Sequence, residues 1–210
     1  FTLAEILVVI AIVAIVGTIL VLIFTNTLRG SNKSQILSAM KQNGQAVLDS
    51  MSRTIRSADN VVCPALESSN TIVIVKNGTY SRYRVVLSTD IIGSAPASCL
   101  RMGSNGCIVF DNPTPSPSET IPQLFINRVC NAADSMSSAQ ILTDTNLLTG
   151  VAIDCIASDC ITNPFFTRNK SAGFKDQVTV KFNLKPGVGA PPTIAGQIDP
   201  ISFQTTIELR

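Results

Sequence analysis

Residues 1–28 read F-T-L-A-E-I-L-V-V-I-A-I-V-A-I-V-G-T-I-L-V-L-I-F-T-N-T-L, and no charged side chain occurs between Glu5 and Arg29. Within Ile6–Phe24 only Gly17 and Thr18 dilute the apolar run. About 20 such residues at ~1.5 Å each cross a hydrocarbon core of ~30 Å, so the segment is long enough to span a membrane. A secretory signal peptide would start with Met, carry a basic region and end at a small-residue cleavage site. This chain starts at Phe1 with no basic side chain before the run, and the expectation is an N-terminus already processed. Arg29 and Lys33 flank the far side, which by the positive-inside rule alone would be cytoplasmic. A removed basic leader would reverse that orientation.

The remaining composition is that of an ordinary polar chain. Of 210 residues 14% are charged, against about 25% in average soluble domains. Part of the deficit lies in the apolar run. Beyond residue 28, 182 residues carry 16 basic and 13 acidic side chains, enough chain for one globular domain with its own core. There is no His, which excludes Ser-His-Asp and Cys-His catalysis, the H-E-x-x-H zinc site and imidazole-held haem. A net charge of +2 is far from the basic footprint of a dedicated nucleic-acid binder. The composition therefore points to a membrane-attached, non-enzymatic protein with no catalytic residues and no cofactor.

Glu5 stands at the mouth of the apolar run. A carboxylate left uncompensated in hydrocarbon costs about 3 kcal/mol even on lenient insertion scales, and such acids usually have a partner. The nearest cation is the α-amino group of Phe1, from the same chain or a neighbouring one; the plainer alternative is an acid at the interface. F-T-L-A-E followed by an apolar helix resembles the mature N-terminus of type IV pilins and of the pseudopilins of type II secretion. The resemblance covers about the first 30 residues. It implies that a prepilin peptidase cuts before Phe1, that Phe1 is N-methylated, and that Glu5 neutralises the amine of an adjacent subunit during assembly. Ala14 stands where the family often has Gly, and Leu22 where many members have Pro.

Past Arg29 the helical pattern becomes one-sided. Ile36, Met40, Gly44, Val47, Met51, Ile55 and Ala58 recur at a period close to 3.6, while Lys33, Lys41, Asp49, Arg53 and Arg56 take other faces. This predicts a helix from residue 2 to about 58, roughly 85 Å long, with Gly30 and Ser31 as a possible bend. After Cys63-Pro64 the period changes to two. Thr71–Val75 and Tyr80–Leu87 flank K-N-G-T, a hairpin signal. Further strands are expected at Cys107–Phe110, Gln123–Val129, Leu147–Ile153, Val178–Leu184 and Ile201–Leu209, the last two joined by a Pro/Gly loop that should not be helical. N-P-T-P-S-P-S at 112–118 reads as an extended surface loop. The expected fold class is α+β: a long N-terminal helical spine carrying an antiparallel sheet head, which is also the pilin-like fold that the resemblance implies. Its parts are residues 1–28 (membrane and filament core), 29–60 (amphipathic helix on the head) and 61–210 (disulfide-bonded β-rich head).

Cys63, Cys99, Cys107, Cys130, Cys155 and Cys160 all lie beyond the apolar segment. An extracytoplasmic head favours three disulfides, for which 15 connectivities exist. Short-range pairs Cys99–Cys107 and Cys155–Cys160 would leave Cys63–Cys130 to tie the helix end to the sheet. No C-x-x-C occurs, so a thiolate metal cluster is the lesser reading and no metal site is assigned. Asp154, Asp159 and Asp176 invite a calcium hypothesis, but match no EF-hand loop and read as solvated loop acids. Tyr80, Arg82, Tyr83 and Arg84 form an aromatic and basic cluster of the kind that contacts single-stranded DNA, although strand alternation divides it between two faces.

These readings converge on a structural subunit. The chain is expected in the cytoplasmic (inner) membrane before assembly and in a cell-surface filament afterwards, as a helical homopolymer built by the pilus assembly machinery. The alternatives are a minor pilin or pseudopilin that initiates or tips a filament and, in a different class, a single-span protein with an enzymatic or ligand-binding head.

Overall fold

The computed structural model describes residues 2–64, 68–88, 90, 95–100, 103–117, 119, 121–131, 134–155, 165–170, 173 and 175–209. The fold is α+β, a helical spine with an antiparallel sheet head. Helix α1 runs without interruption from Leu3 to Arg56, 54 residues or about 81 Å. It stays helical through Gly30 and Ser31, where the sequence leaves room for a bend.

The one-sided stripe decides where the head attaches. Met40, Gly44, Val47, Met51 and Ile55 are buried, and Ile36 packs at the edge of the same core. Lys33, Lys41, Asp49, Arg53 and Arg56 are exposed. Each large apolar side chain so buried contributes about 1.5–3 kcal/mol, which holds this half of the helix to the head. The main chain N–H of Ser57 closes the last turn on Arg53 O.

Two sheets enclose the stripe. The first is ordered β1 (Asn60–Cys63), β3 (Thr71–Lys76), β4 (Thr79–Val86), β5 (Cys107–Asp111) and β6 (Gln140–Ile141). The second is ordered β10 (Ile201–Glu208), β9 (Gln177–Pro186), β8 (Phe166–Asn169) and β2 (Ser68–Ser69), with β7 (Val151–Ile153) also pairing β9. All pairings are antiparallel. The expected hairpin forms: Lys76 pairs Thr79 across Asn77 and Gly78, both at positive φ (49° and 78°), as a tight two-residue turn requires. Asp59 Oδ2 accepts the Asn77 N–H at 2.7 Å, pinning the hairpin tip to the end of α1.

Strand alternation places Ile72, Ile74, Tyr83 and Val85 in the core with α1, and Val73 on the opposite face under α3 (Pro122–Cys130). The strand expected at Gln123–Val129 is therefore α3. Pro122 occupies its first turn, and Phe125 and Val129, one turn apart, are its buried face. Only Val151–Ile153 of the expected strand Leu147–Ile153 is extended in the sheet. The Asn146 side chain folds the chain before it, accepting the N–H groups of Leu148 (2.9 Å) and Thr149 (3.2 Å). The Pro/Gly loop before β10 contains one helical turn, α4 (Pro192–Ala195), contrary to expectation; its Pro stands where a helix can begin. A short helix α2 (Ala97–Leu100) precedes β5, and residues 112–116 carry no regular structure.

Cys63–Cys130 ties the strand after α1 to the end of α3, and Cys99–Cys107 joins α2 to β5. Both pairs belong to the connectivity in which the short-range pairs leave Cys63 to Cys130. Cys155 is also disulfide-bonded, and Cys160 lies outside the described residues.

Candidate functional site: the exposed apolar helix

The segment that the head leaves uncovered is the feature most in need of a function. From Leu3 to Phe24 every large apolar side chain is about half exposed or more, from Val16 at 49% to Leu3 at 78%. It is the one helix among the described residues long and apolar enough to cross a membrane. The hydroxyls of Thr18, Thr25 and Thr27 are folded back on the helix's own main chain. Thr18 Oγ1 donates to Ile15 O at 2.8 Å, Thr25 to Val21 O and Leu22 O at 3.0 Å, and Thr27 to Ile23 O at 2.9 Å. Hydroxyls satisfied in this way enter hydrocarbon without stranding a donor.

At the start of α1, Thr2 and Glu5 form a reciprocal cap. The Thr2 N–H donates to Glu5 Oε2 at 2.7 Å, and the Glu5 N–H to Thr2 Oγ1 at 3.4 Å. The carboxylate thus satisfies an orphan donor and complements the positive end of the helix dipole. Among the described residues the partner of Glu5 is thus Thr2 rather than an amine, and T-x-x-E before an apolar run is the sequence signature of such a capping box. Phe1, the residue assigned to processing and methylation, lies outside the described residues, so its amine is not placed relative to Glu5.

The aromatic and basic cluster is corrected by burial. Arg82, Tyr83 and Arg84 are 1%, 1% and 3% exposed, so none offers a surface on which DNA could stack. The expected division between faces does hold. Tyr83 faces α1, where its hydroxyl donates to Thr54 Oγ1 at 2.8 Å; burial pushes its pKa up, opposed by hydrogen bonds with Thr54 and Ser50. Tyr80 lies on the other face, edge-on to Phe125 at 4.7 Å. There Arg82 grips Asp111 through two hydrogen bonds (2.9 and 2.6 Å), Asp134 at 2.5 Å and Val129 O at 3.3 Å.

Arg84 donates to Thr71 Oγ1, Asp134 O and Asn131 O. The two guanidinium groups fasten the end of α3 and the loop after it to the first sheet. Burial would lower the pKa of Arg82, but its bonds to Asp111 and Asp134 raise it overall. Arg84 is pushed down to about 10 by burial, reinforced by the charge of Arg82. These are structural roles, built from acids 29 and 52 positions away from Arg82 in the chain.

The loop acids are likewise engaged. Asp154 pairs with Lys185 at 3.2 Å and Asp176 with Arg168; Asp159 lies outside the described residues. Among the described residues no cluster of three or more His, Cys, Asp or Glu could hold a metal ion. Comparison with family models, curated proteins and solved structures gave no match.

Proposed function

We propose that this chain is a structural subunit of the type IV pilin class, held in the membrane by α1 and polymerised through the same helix into a filament. The observation that carries this reading is the unbroken passage of α1 from an uncovered apolar half into a half buried in the head. A simple anchor needs no rigid continuity with its domain. A subunit whose head must be placed at a fixed height on a helical bundle does. Moving the apolar half from lipid to a protein bundle gains little hydrophobic free energy, because lipid tails are as apolar as Leu. Helix packing and the charge of Glu5 would set the register, and an assembly machine would supply the work. The partners so proposed are further copies of the chain, a prepilin peptidase acting before Phe1, and that machine.

The test is electron microscopy of filaments sheared from the native cells, with mass spectrometry of the bulk protein and its N-terminal peptide. The expected result is a filament in which this chain predominates and begins with methylated Phe1. A trace amount beside another dominant subunit would replace the reading by that of an initiating or tip subunit. Absence from any filament, with an unmodified Phe1, would overturn it.

A further inference from the structure

Outside α1, the large apolar side chains exposed among the described residues are Ile121, Leu124, Leu147, Leu148 and Val188. The last three belong to two adjoining loops at the foot of the head. Asp144 N–H donates to Asn43 Oδ1 of α1 at 3.0 Å. From there the loop descends beside the helix, and Leu148 and Thr149, with Pro191, line a groove of about 310 Å³ against Asn32, Gln35, Ile36 and Ala39. Asn32 is 11 residues nearer the N-terminus than Asn43, about 16 Å lower along the helix axis.

The loops are held rather than loose. Gly189 N–H donates to Leu147 O at 2.8 Å, and Gly187 N–H to Gly150 O at 3.0 Å. A Cβ on Gly187 would stand 2.4 Å from Leu147 O, so the two loops meet main chain to main chain. Leu147 is 47%, Leu148 62% and Val188 48% exposed. The structure thus spends ordered hydrogen bonds on presenting apolar side chains outward.

The height of the groove's lower rim bears on what covers it. The uncharged stretch that follows the apolar run ends at Leu28; with the hydrocarbon boundary at its end, the rim at Asn32 stands about 6 Å beyond it. The headgroup layer on each side of the core is about 5–8 Å thick. From residue 6 to residue 48 the only charged side chains of α1 are Arg29, Lys33 and Lys41, all basic. An apolar rim near headgroup depth, on a helix whose nearby charges are all basic, is the pattern of an interfacial membrane contact.

We infer that the foot of the head, presented by Leu147, Leu148 and Val188, seats on the lipid–water interface while α1 spans the membrane. The inference rests on the membrane-held stage of the proposed function and gives that stage a second contact. It fixes the head against the bilayer, with the groove beside Ile36 closed by lipid.

The chain has no Trp, so a single introduced indole reports its own surroundings. Three full-length variants, Leu148→Trp, Leu124→Trp and Phe24→Trp, would be reconstituted in phosphatidylethanolamine/phosphatidylglycerol vesicles with and without acyl chains brominated near the headgroup. Phe24→Trp marks the hydrocarbon segment, and Leu124→Trp marks α3, which packs on the first sheet's face away from α1. The expected result is a blue shift, loss of emission to brominated lipid and protection from acrylamide for Leu148→Trp, with none of the three for Leu124→Trp.

If Phe24→Trp is quenched by brominated lipid but Leu148→Trp behaves like Leu124→Trp, the seat is overturned and the span stands. Protection from acrylamide without lipid quenching at Leu148→Trp means that a second copy of the chain covers the patch, and also overturns it. No quenching of Phe24→Trp overturns the membrane reading itself, and the seat with it.

Discussion

The ring of Phe203 occupies the space where a side chain on Gly44 would begin: a Cβ there would stand 2.2 Å from its Cζ. Phe203 lies opposite Phe182 on β9, and their rings stack 5.4 Å apart. The absence of a side chain at Gly44 is thus what lets β10 press onto the spine. In a solvent-exposed helix, Gly→Ala gains about 0.5–1 kcal/mol. Here overpacking at about 1–3 kcal/mol opposes that gain. Gly44→Ala is expected to lower the stability of the head, while Gly30→Ala, with nothing within 4 Å of its added methyl, is expected to leave it unchanged or slightly raised. Denaturant midpoints of the full chain in detergent measure both. A Gly44→Ala midpoint equal to or above the parent would show that the ring moves aside freely.

Arg82 is held by two acids that are themselves only partly exposed, 24% for the Asp111 side chain and 12% for Asp134. Removing one member of a buried ion pair strands the others, at about 3–5 kcal/mol for full burial. The residual exposure of Asp111 places Arg82→Met at the low end, about 3 kcal/mol. Converting Asp111 to Asn in the same chain removes one stranded charge and should restore part of the loss. Urea unfolding of the single and double variants checks this. A single variant within about 1 kcal/mol of the parent would mean that the network contributes little.

The spine was readable in the sequence because one residue sets its pattern for another a turn away, as Met40, Gly44 and Val47 do. The same locality made the Asn77-Gly78 hairpin readable. Gln123–Val129 was misread because a short apolar run fits strand and helix alike, and only Pro122 at its head told against a strand. Arg82 and Arg84 could not be read at all. Their burial depends on Asp111, Asp134 and the carbonyls after α3, brought together by topology rather than by spacing. The cap on Glu5 is local, and Thr2 three residues before it is its signal.

Glu119 and Arg128 provide a pH signature at the surface. Glu119 accepts from Arg128 Nε at 2.6 Å and from the Ser116 N–H at 2.7 Å. These bonds, that to Arg128 foremost, hold its pKa below the ordinary value of 4.5. A carboxyl whose folded-state pKa is depressed contributes stability above its unfolded pKa and loses it as pH falls through the folded value. Glu119→Gln is therefore expected to be less stable than the parent at neutral pH, with the difference shrinking below about pH 4.5. Urea midpoints of both chains between neutral and acidic pH measure it. A difference that grows with acidity would contradict the assigned sign.

Glu5 has two tasks that one substitution series can separate. In the single chain it caps α1 through Thr2, and a Gln side chain can accept the same hydrogen bond without the charge. In the proposed filament it carries the charge that meets a neighbouring amine, which Gln does not supply. Glu5→Ala is expected to leave the protein in the membrane and to reduce filament yield, with the cap and the charge both removed. Glu5→Gln keeps the cap and removes only the charge. If assembly depends on charge, its yield falls as far as that of Glu5→Ala; if the cap is what matters, it assembles like the parent. Filament yield from sheared cells, set against membrane levels of each variant, decides between them. Normal yield from Glu5→Ala would remove Glu5 from assembly altogether.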